Sequence, residues 1–189
     1  TGALYWQIND CWPVASWSGT DYFGNWKALH YYAKRFYSQL LVAPIDDGKT
    51  LNVYGISDRL GPVEAELRWT VVTYDGKLAG EGKSTLRLEP GESRIIFSRG
   101  LDELRKNYPA EEVYFTCELV EGNKSLSSNI FHFSELKRVS LPQPEIKREV
   151  FLDGKKIVVA LTSKNFAKDV YLSAPGFKGR FSDNFFDMI

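Results

Sequence analysis

The sequence is poor in the residues that make covalent or metal-based chemistry easy. Among 189 residues it has two cysteines, two histidines and one methionine. Cys11 and Cys117 are too few for a disulfide framework and fall in segments assigned below to different domains, so both read as free thiols. His30 and His132 have no nucleophile or ligand partner at useful spacing and read as structural. No metal site and no bound cofactor are therefore expected. Net charge is missing as well: 24 basic side chains balance 24 acidic ones, which removes the electrostatic reason to bind nucleic acid or an anionic membrane. No apolar run approaches the roughly 18 residues needed to cross a bilayer. A neutral partner fits this balance best.

Aromatic side chains are abundant, at 14%, and they crowd the start of the chain: Tyr5, Trp6, Trp12, Trp17, Tyr22, Phe23, Trp26, Tyr31, Tyr32, Phe36 and Tyr37. Gly2 to Ile8 is short, apolar and aromatic, and it runs into a polar and aromatic loop. That pattern predicts a buried strand delivering Trp6, Asn9, Asp10 and Trp12 to the end of a sheet or barrel. An indole face with amide and carboxylate groups beside it can stack on the C–H face of a sugar ring while bonding its hydroxyls, which makes carbohydrate the first ligand class to consider. A core strand whose tryptophans merely fill space would give the same pattern. Asn25 is placed to cap a helix from about Trp26 to Tyr37, with Trp26, Leu29, Ala33 and Phe36 along one face and Lys34 and Arg35 near its carboxyl end.

From Ser38 the apolar period changes to two. Strands are predicted at Leu40–Ala43, Leu51–Ile56, Val63–Val71, Lys77–Leu88, Ser93–Phe97, Val113–Val120 and Ser125–Phe133, with one or two helical turns within Gly100–Lys106. Trp69 at the centre of the third strand suits the core tryptophan of an immunoglobulin-like sandwich. Cys117 shares the inward face of its strand with Val113, Phe115 and Leu119 but has no cysteine opposite, so it reads as a small apolar residue. Pro142 and Pro144 mark a linker, and the strand-turn pattern then resumes to the end of the chain. Asn123-Lys124-Ser125 meets the glycosylation pattern at a predicted turn, a short motif that also arises by chance.

Read together, Gly2-Ala3-Leu4-Tyr5-Trp6-Gln7-Ile8-Asn9-Asp10-Cys11-Trp12-Pro13, Ser16-Trp17, Asp21-Tyr22-Phe23-Gly24 and Trp26-Lys27-Ala28-Leu29-His30-Tyr31-Tyr32 resemble the end of the catalytic barrel in the β-mannosidases of glycoside hydrolase family 2. The resemblance is dense over residues 1–37 and looser beyond. It implies a mainly β chain: immunoglobulin-like β-sandwiches preceded by a strand-helix remnant of a (β/α)8 barrel. The division it implies is a last barrel unit at 1–37, a first sandwich at 38–137, a linker at 138–143 and a second sandwich at 144–189 that lacks its end. A chain opening inside a barrel strand is expected to be a piece of a longer protein, with the missing barrel packed on residues 1–37 and the compartment left open.

The same resemblance implies removal of β-linked mannose with retention of configuration. Such hydrolysis needs two carboxylates about 5–5.5 Å apart, an acid and a nucleophile. In the family these are glutamates on earlier barrel strands, and residues 1–37 contain no glutamate, so this chain is expected to be inactive alone and to contain no catalytic residue. By the family pattern Trp6 forms the floor of the subsite that holds the sugar to be cleaved, with Asn9, Asp10 and Trp12 near its rim. Two other functions stay open: a carbohydrate-binding or assembly sandwich with no catalytic role, and a family 2 hydrolase acting on a different sugar.

Overall fold

The computed structural model describes residues 3–176 and 179–189. Its elements in chain order begin with α1 (Ala28–Phe36), β1 (Leu40–Asp46), β2 (Thr50–Ser57), β3 (Val63–Thr73), β4 (Leu78–Leu88) and β5 (Ser93–Gly100). They continue with α2 (Leu101–Arg105), β6 (Val113–Glu121), β7 (Lys124–His132), β8 (Ile146–Asp153), β9 (Lys156–Ser163), β10 (Ala167–Val170) and β11 (Phe186–Met188). The chain divides into two units, one of Thr1–Ser38 with Lys168–Met188 and one of Gln39–Ala167 with Ile189.

The larger unit is built on an immunoglobulin-like sandwich of two antiparallel sheets, β1-β2-β5 and β4-β3-β6-β7. Alternation in the sequence becomes alternation in burial: Leu51 and Val53 on β2, Val63, Ala65, Leu67 and Val71 on β3, and Val113, Phe115, Cys117 and Leu119 on β6 all point into the core. Each large apolar side chain taken out of water there contributes roughly 1.5–3 kcal/mol. β1 and β7 meet where the two sheets approach, and side chains take the place of a ladder. The Val42 amide donates to Ser127 Oγ at 3.1 Å, and Asn129 Nδ2 donates to the Val42 carbonyl at 3.1 Å. Edge groups that would otherwise be free to pair with another chain are thereby used.

Trp69 joins the core from its margin. It is half-buried, with ring centroids 5.3 Å from Phe97 and 6.1 Å from Phe115, and the Arg99 guanidinium lies 5.2 Å over it. Its indole covers Gly82, the register partner on β4, where an added Cβ would come within 2.6 Å of the ring. Cys117 is 1% exposed and unpaired, and burial pushes its thiol up to about 12.

Beyond the sandwich, β8 and β9 form a two-stranded hairpin, and β8 is exposed along its whole length. The chain is anchored again at Phe166, which packs with Tyr74 and Tyr114; the Phe166 amide donates to the Tyr74 carbonyl at 3.3 Å. Tyr74 Oη and His132 Nδ1 lie 2.7 Å apart beside them.

The smaller unit departs from two sequence expectations. Gly2 lies outside the described residues, and no strand forms between Ala3 and Ile8; the segment makes a short parallel contact, in which the Gly19 and Thr20 amides donate to the Gln7 and Ile8 carbonyls at 2.9 Å. A parallel strand needs neighbours for its backbone groups, and Gly19 and Thr20 are the neighbours it finds. The helix starts at Ala28 rather than Trp26, with Lys27 as its cap residue. Asn25 does not cap it because its side chain donates to Asp21 Oδ2 and its amide to Asp21 Oδ1, both at 2.8 Å, while Trp26 bridges to Thr20. The buried residues of α1 are Tyr31 and Ala33, whereas Phe36 is exposed, so the inward face is rotated from the one expected. Lys34 and Arg35 act as clamps: Lys34 Nζ donates to the Ser182 carbonyl at 2.8 Å, and Arg35 bonds Asp183 and the carbonyls of Asn184 and Phe185 at 2.6–3.1 Å.

Candidate functional site

The four residues singled out from the sequence share one stretch of the smaller unit but stand in different surroundings. Trp6 is 74% exposed and Trp12 is 63% exposed, so two indole faces are open to solvent. The Trp6–Gln7 peptide bond is cis. Asn9 is exposed, and its Nδ2 donates to the Asp10 carbonyl at 3.2 Å. Asp10 is buried, with only 1% of its side chain exposed.

Asp10 is enclosed by partners that the sequence reading did not connect with it. Lys27 Nζ donates to Asp10 Oδ2 at 2.8 Å and to Ser18 Oγ at 2.7 Å, and it lies 3.5 Å from Ser16 Oγ. Ser16 Oγ donates to Asp10 Oδ1 in a short bond. Ser18 Oγ in turn donates to the Thr20 carbonyl at 2.7 Å, and the Asp10 amide donates to the same carbonyl at 3.2 Å. The Lys27 ammonium and the Ser16 hydroxyl bonded to Asp10 hold its carboxyl below the usual carboxylate range; burial opposes them without prevailing. Asp10 is therefore ionised at neutral pH and acceptor-only, with both of its oxygens bonded by the chain itself.

No local pattern ties Asp10 to Lys27, because the two stand seventeen residues apart and meet only when Thr20–Lys27 folds back. Polar residues at both ends of an aromatic loop were the available signal. Among the described residues, no group of three or more His, Cys, Asp or Glu side chains stands close enough to hold a metal ion. Cys11 is exposed on the loop. No helix among the described residues is long and apolar enough to cross a membrane.

An open cleft of about 670 Å³ on the same unit is lined in part by Asp21, Asn25, Trp26, Tyr31, Tyr171 and Asn184. Arg180 lies 4.4 Å over the Trp26 ring and covers that face. Hydrogen bonds from Asn25 hold the Asp21 carboxyl below its usual range, with burial opposing.

Comparison with known proteins adds the family. Residues 49–138 match a domain described as a mannosidase Ig/CBM-like domain, and residues 141–189 match an Ig-fold domain of mannosidases. The β-mannosidase of Capra hircus is 34% identical over 194 residues, covering 99% of this chain and 22% of that protein. The β-mannosidase of Mus musculus is 33% identical over 195 residues, covering all of this chain and again 22% of the relative. The chain thus spans about a fifth of the length of these curated relatives. In fold it is similar to the β-D-mannosidase of Dictyoglomus thermophilum, with a TM-score of 0.85 at 24% identity over 97% of this chain and 22% of that one. It is also similar to the exo-chitosanase of Amycolatopsis orientalis, with a TM-score of 0.66 at 15% identity over 100% of this chain and 26% of that one. Mannosidase immunoglobulin-like domains cover most of this chain, and curated β-mannosidases match it, though only a fifth of their own length, from its first residues to its last, so the chain belongs to the β-mannosidase-like glycoside hydrolases of family 2, as their carboxyl-terminal region.

Proposed function

We propose that this chain is the non-catalytic end of a retaining, exo-acting β-mannosidase: residues 1–37 complete the catalytic barrel as its last strand-and-helix unit, and the sandwiches buttress it. The domain division is a barrel unit at 1–37, a sandwich at 38–137, a linker at 138–143 and a second sandwich at 144–189. The observation that carries the proposal is the pair of open indoles, Trp6 and Trp12, on the same stretch as the buried Asp10, in a chain that curated β-mannosidases match at about one-third identity over its whole length.

In this reading Trp6 is the floor on which the mannose ring stacks. Trp12 and Asn9 stand at the rim, and Asp10 serves the same site by holding the loop. Stacking accelerates hydrolysis only to the extent that it strengthens as the ring flattens toward the oxocarbenium-like transition state. Acid and nucleophile come from carboxylates on earlier strands of the longer protein, so the chain alone turns nothing over. The exposed Leu4, Ile8 and Trp17, at 98%, 65% and 80%, supply the apolar surface that the rest of the barrel would cover.

A sugar-binding role for the first sandwich fits less well. Tyr74 and Tyr114 are each 3% exposed and Trp69 packs on the core, so its large aromatics face inward instead of forming a platform. The test is release of nitrophenol from an aryl β-mannoside. The 189-residue chain is expected to show none, and the longer protein that carries it is expected to hydrolyse the substrate. Activity of the isolated chain, or failure of the longer protein, would refute the proposal.

A further inference from the structure

We infer that Lys27 is a positioning residue: its ammonium, held between Asp10, Ser16 and Ser18, closes the base of the loop Cys11–Ala15 and so sets where Trp12 stands. The inference rests on the substrate site proposed above and names a residue that site would depend on.

The loop has little of its own to hold it. Cys11, Trp12, Pro13, Val14 and Ala15 are all exposed, so no apolar packing fixes their course. What is fixed is the base. On the incoming side, Asp10 is tied through its amide to the Thr20 carbonyl at 3.2 Å. On the outgoing side, the Ser18 amide donates to Ser16 Oγ at 3.1 Å, and Ser18 Oγ donates to the same Thr20 carbonyl at 2.7 Å. Lys27 joins the two sides, its three N–H groups facing Asp10 Oδ2 at 2.8 Å, Ser18 Oγ at 2.7 Å and Ser16 Oγ at 3.5 Å. Pinning the two ends together restricts the conformations open to the loop between them.

The place of Lys27 in the helix sharpens the point. It is the cap residue of α1 and makes no side-chain cap bond. A cation at the amino end of a helix faces the positive end of the macrodipole, and Ser, Thr, Asp or Asn would serve better as a cap. Helix stability therefore does not explain a lysine here, whereas three converging acceptors do. Arginine could not replace it, since a planar fork does not match three acceptors arranged around one point. The Lys27 amide donates to the Gly19 carbonyl at 2.9 Å, which keeps the base of the side chain in register with the loop it closes.

The test compares Lys27→Met, Asp10→Asn and the double variant in the longer protein, with hydrogen exchange of the 189-residue chain beside the kinetics. Each single change is expected to raise KM for an aryl β-mannoside about tenfold while kcat falls less than about threefold, the split expected when binding is lost and chemistry is not. The double variant is expected to be no worse than either single one, because both changes remove the same closure. Exchange at the bonded amides of the loop base, those of Asp10, Ser18, Gly19 and Thr20, is expected to rise about tenfold, with β3 and β6 unchanged. Ser16→Ala, which leaves the ion pair in place, is the milder probe should Lys27→Met fail to fold; it is expected to raise KM about threefold. Wild-type KM in these variants, or unchanged exchange at the base of the loop, overturns the positioning role and leaves the β-mannosidase reading standing. A longer protein that cleaves no β-mannoside overturns that reading and this inference with it.

Discussion

The two units of this chain are held together by different forces. The sandwich buries a continuous apolar core, from Leu40 and Val42 through Leu67 and Phe115 to Leu119. In the unit made of residues 1–38 and 168–188, the described buried side chains are Tyr31 and Ala33 beside the polar Asp10, Ser18 and Asn184. Its order comes from directional bonds: Lys27 to Asp10, Arg35 to the segment 183–185, and Asn184, which bonds both the amide and the carbonyl of Leu172 at 2.8 and 2.9 Å. Apolar packing depends on volume and tolerates pH over a wide range. A bonded polar framework depends on single atoms and on their charge. The contrast teaches where each unit is vulnerable.

The largest effect is expected from volume lost in the sandwich. Phe115→Ala removes a ring with no exposure, at the junction of Trp69 and Phe97, and is expected to lower sandwich stability by about 3–5 kcal/mol in denaturant unfolding. Next comes a single polar group in the other unit. Asn184→Ala strips three backbone groups, the amide and carbonyl of Leu172 and the amide of Phe185, of a partner at once and is expected to cost about 1–3 kcal/mol locally, read as faster exchange of the Leu172 amide. A smaller loss for Phe115→Ala than for Asn184→Ala would reverse the comparison.

Titration separates the units further. The Cys117 thiol and the Tyr114 phenol are both pushed up to about 12 by burial. Unfolding lets them ionise near their ordinary values, so the unfolded state holds fewer protons and the sandwich loses stability as pH rises from about 9 to 12. Each group contributes at most about 1.4 kcal/mol per pH unit to that slope. For Asp10 the shift is downward. Its contribution is therefore present above the usual carboxylate range and is lost as pH falls through the folded value, the reverse direction. The expected signature is the smallest of the four: below about pH 4 the environment of Trp12 and Trp17 changes in tryptophan fluorescence while sandwich exchange does not. Simultaneous loss of both signals in acid would contradict the separation.

The same difference explains how far the sequence could be read. The sandwich strands were legible because alternation at Val63, Ala65 and Leu67 or at Val113, Phe115 and Cys117 survives directly as burial. Trp69 was legible as a core residue in kind, though its seat at the margin depends on Gly82 across the sheet, which no single-strand pattern reveals. The start of α1 was misjudged because Asn25 had a nearer use on Asp21. Gly2–Ile8 was expected to be a strand from its apolar composition, yet a strand is decided by its neighbours, and composition does not supply them. At the site, the open indoles Trp6 and Trp12 stood out as aromatic residues beside polar ones. The closure through Lys27 did not, because an ion pair across seventeen positions leaves no periodic trace.

In the proposed function this chain lends a mannose-stacking indole to a hydrolase whose acids lie elsewhere. The direct measurement is kcat/KM of the longer protein, with Trp6 and with Trp6→Ala, on aryl β-mannoside, β-galactoside and β-glucuronide. The mannoside is expected to be the preferred substrate, and the substitution is expected to lower kcat/KM on it by about 10- to 100-fold, each tenfold corresponding to about 1.4 kcal/mol of transition-state stabilisation. Preference for either of the other glycosides, or an unchanged kcat/KM without the indole, would contradict it.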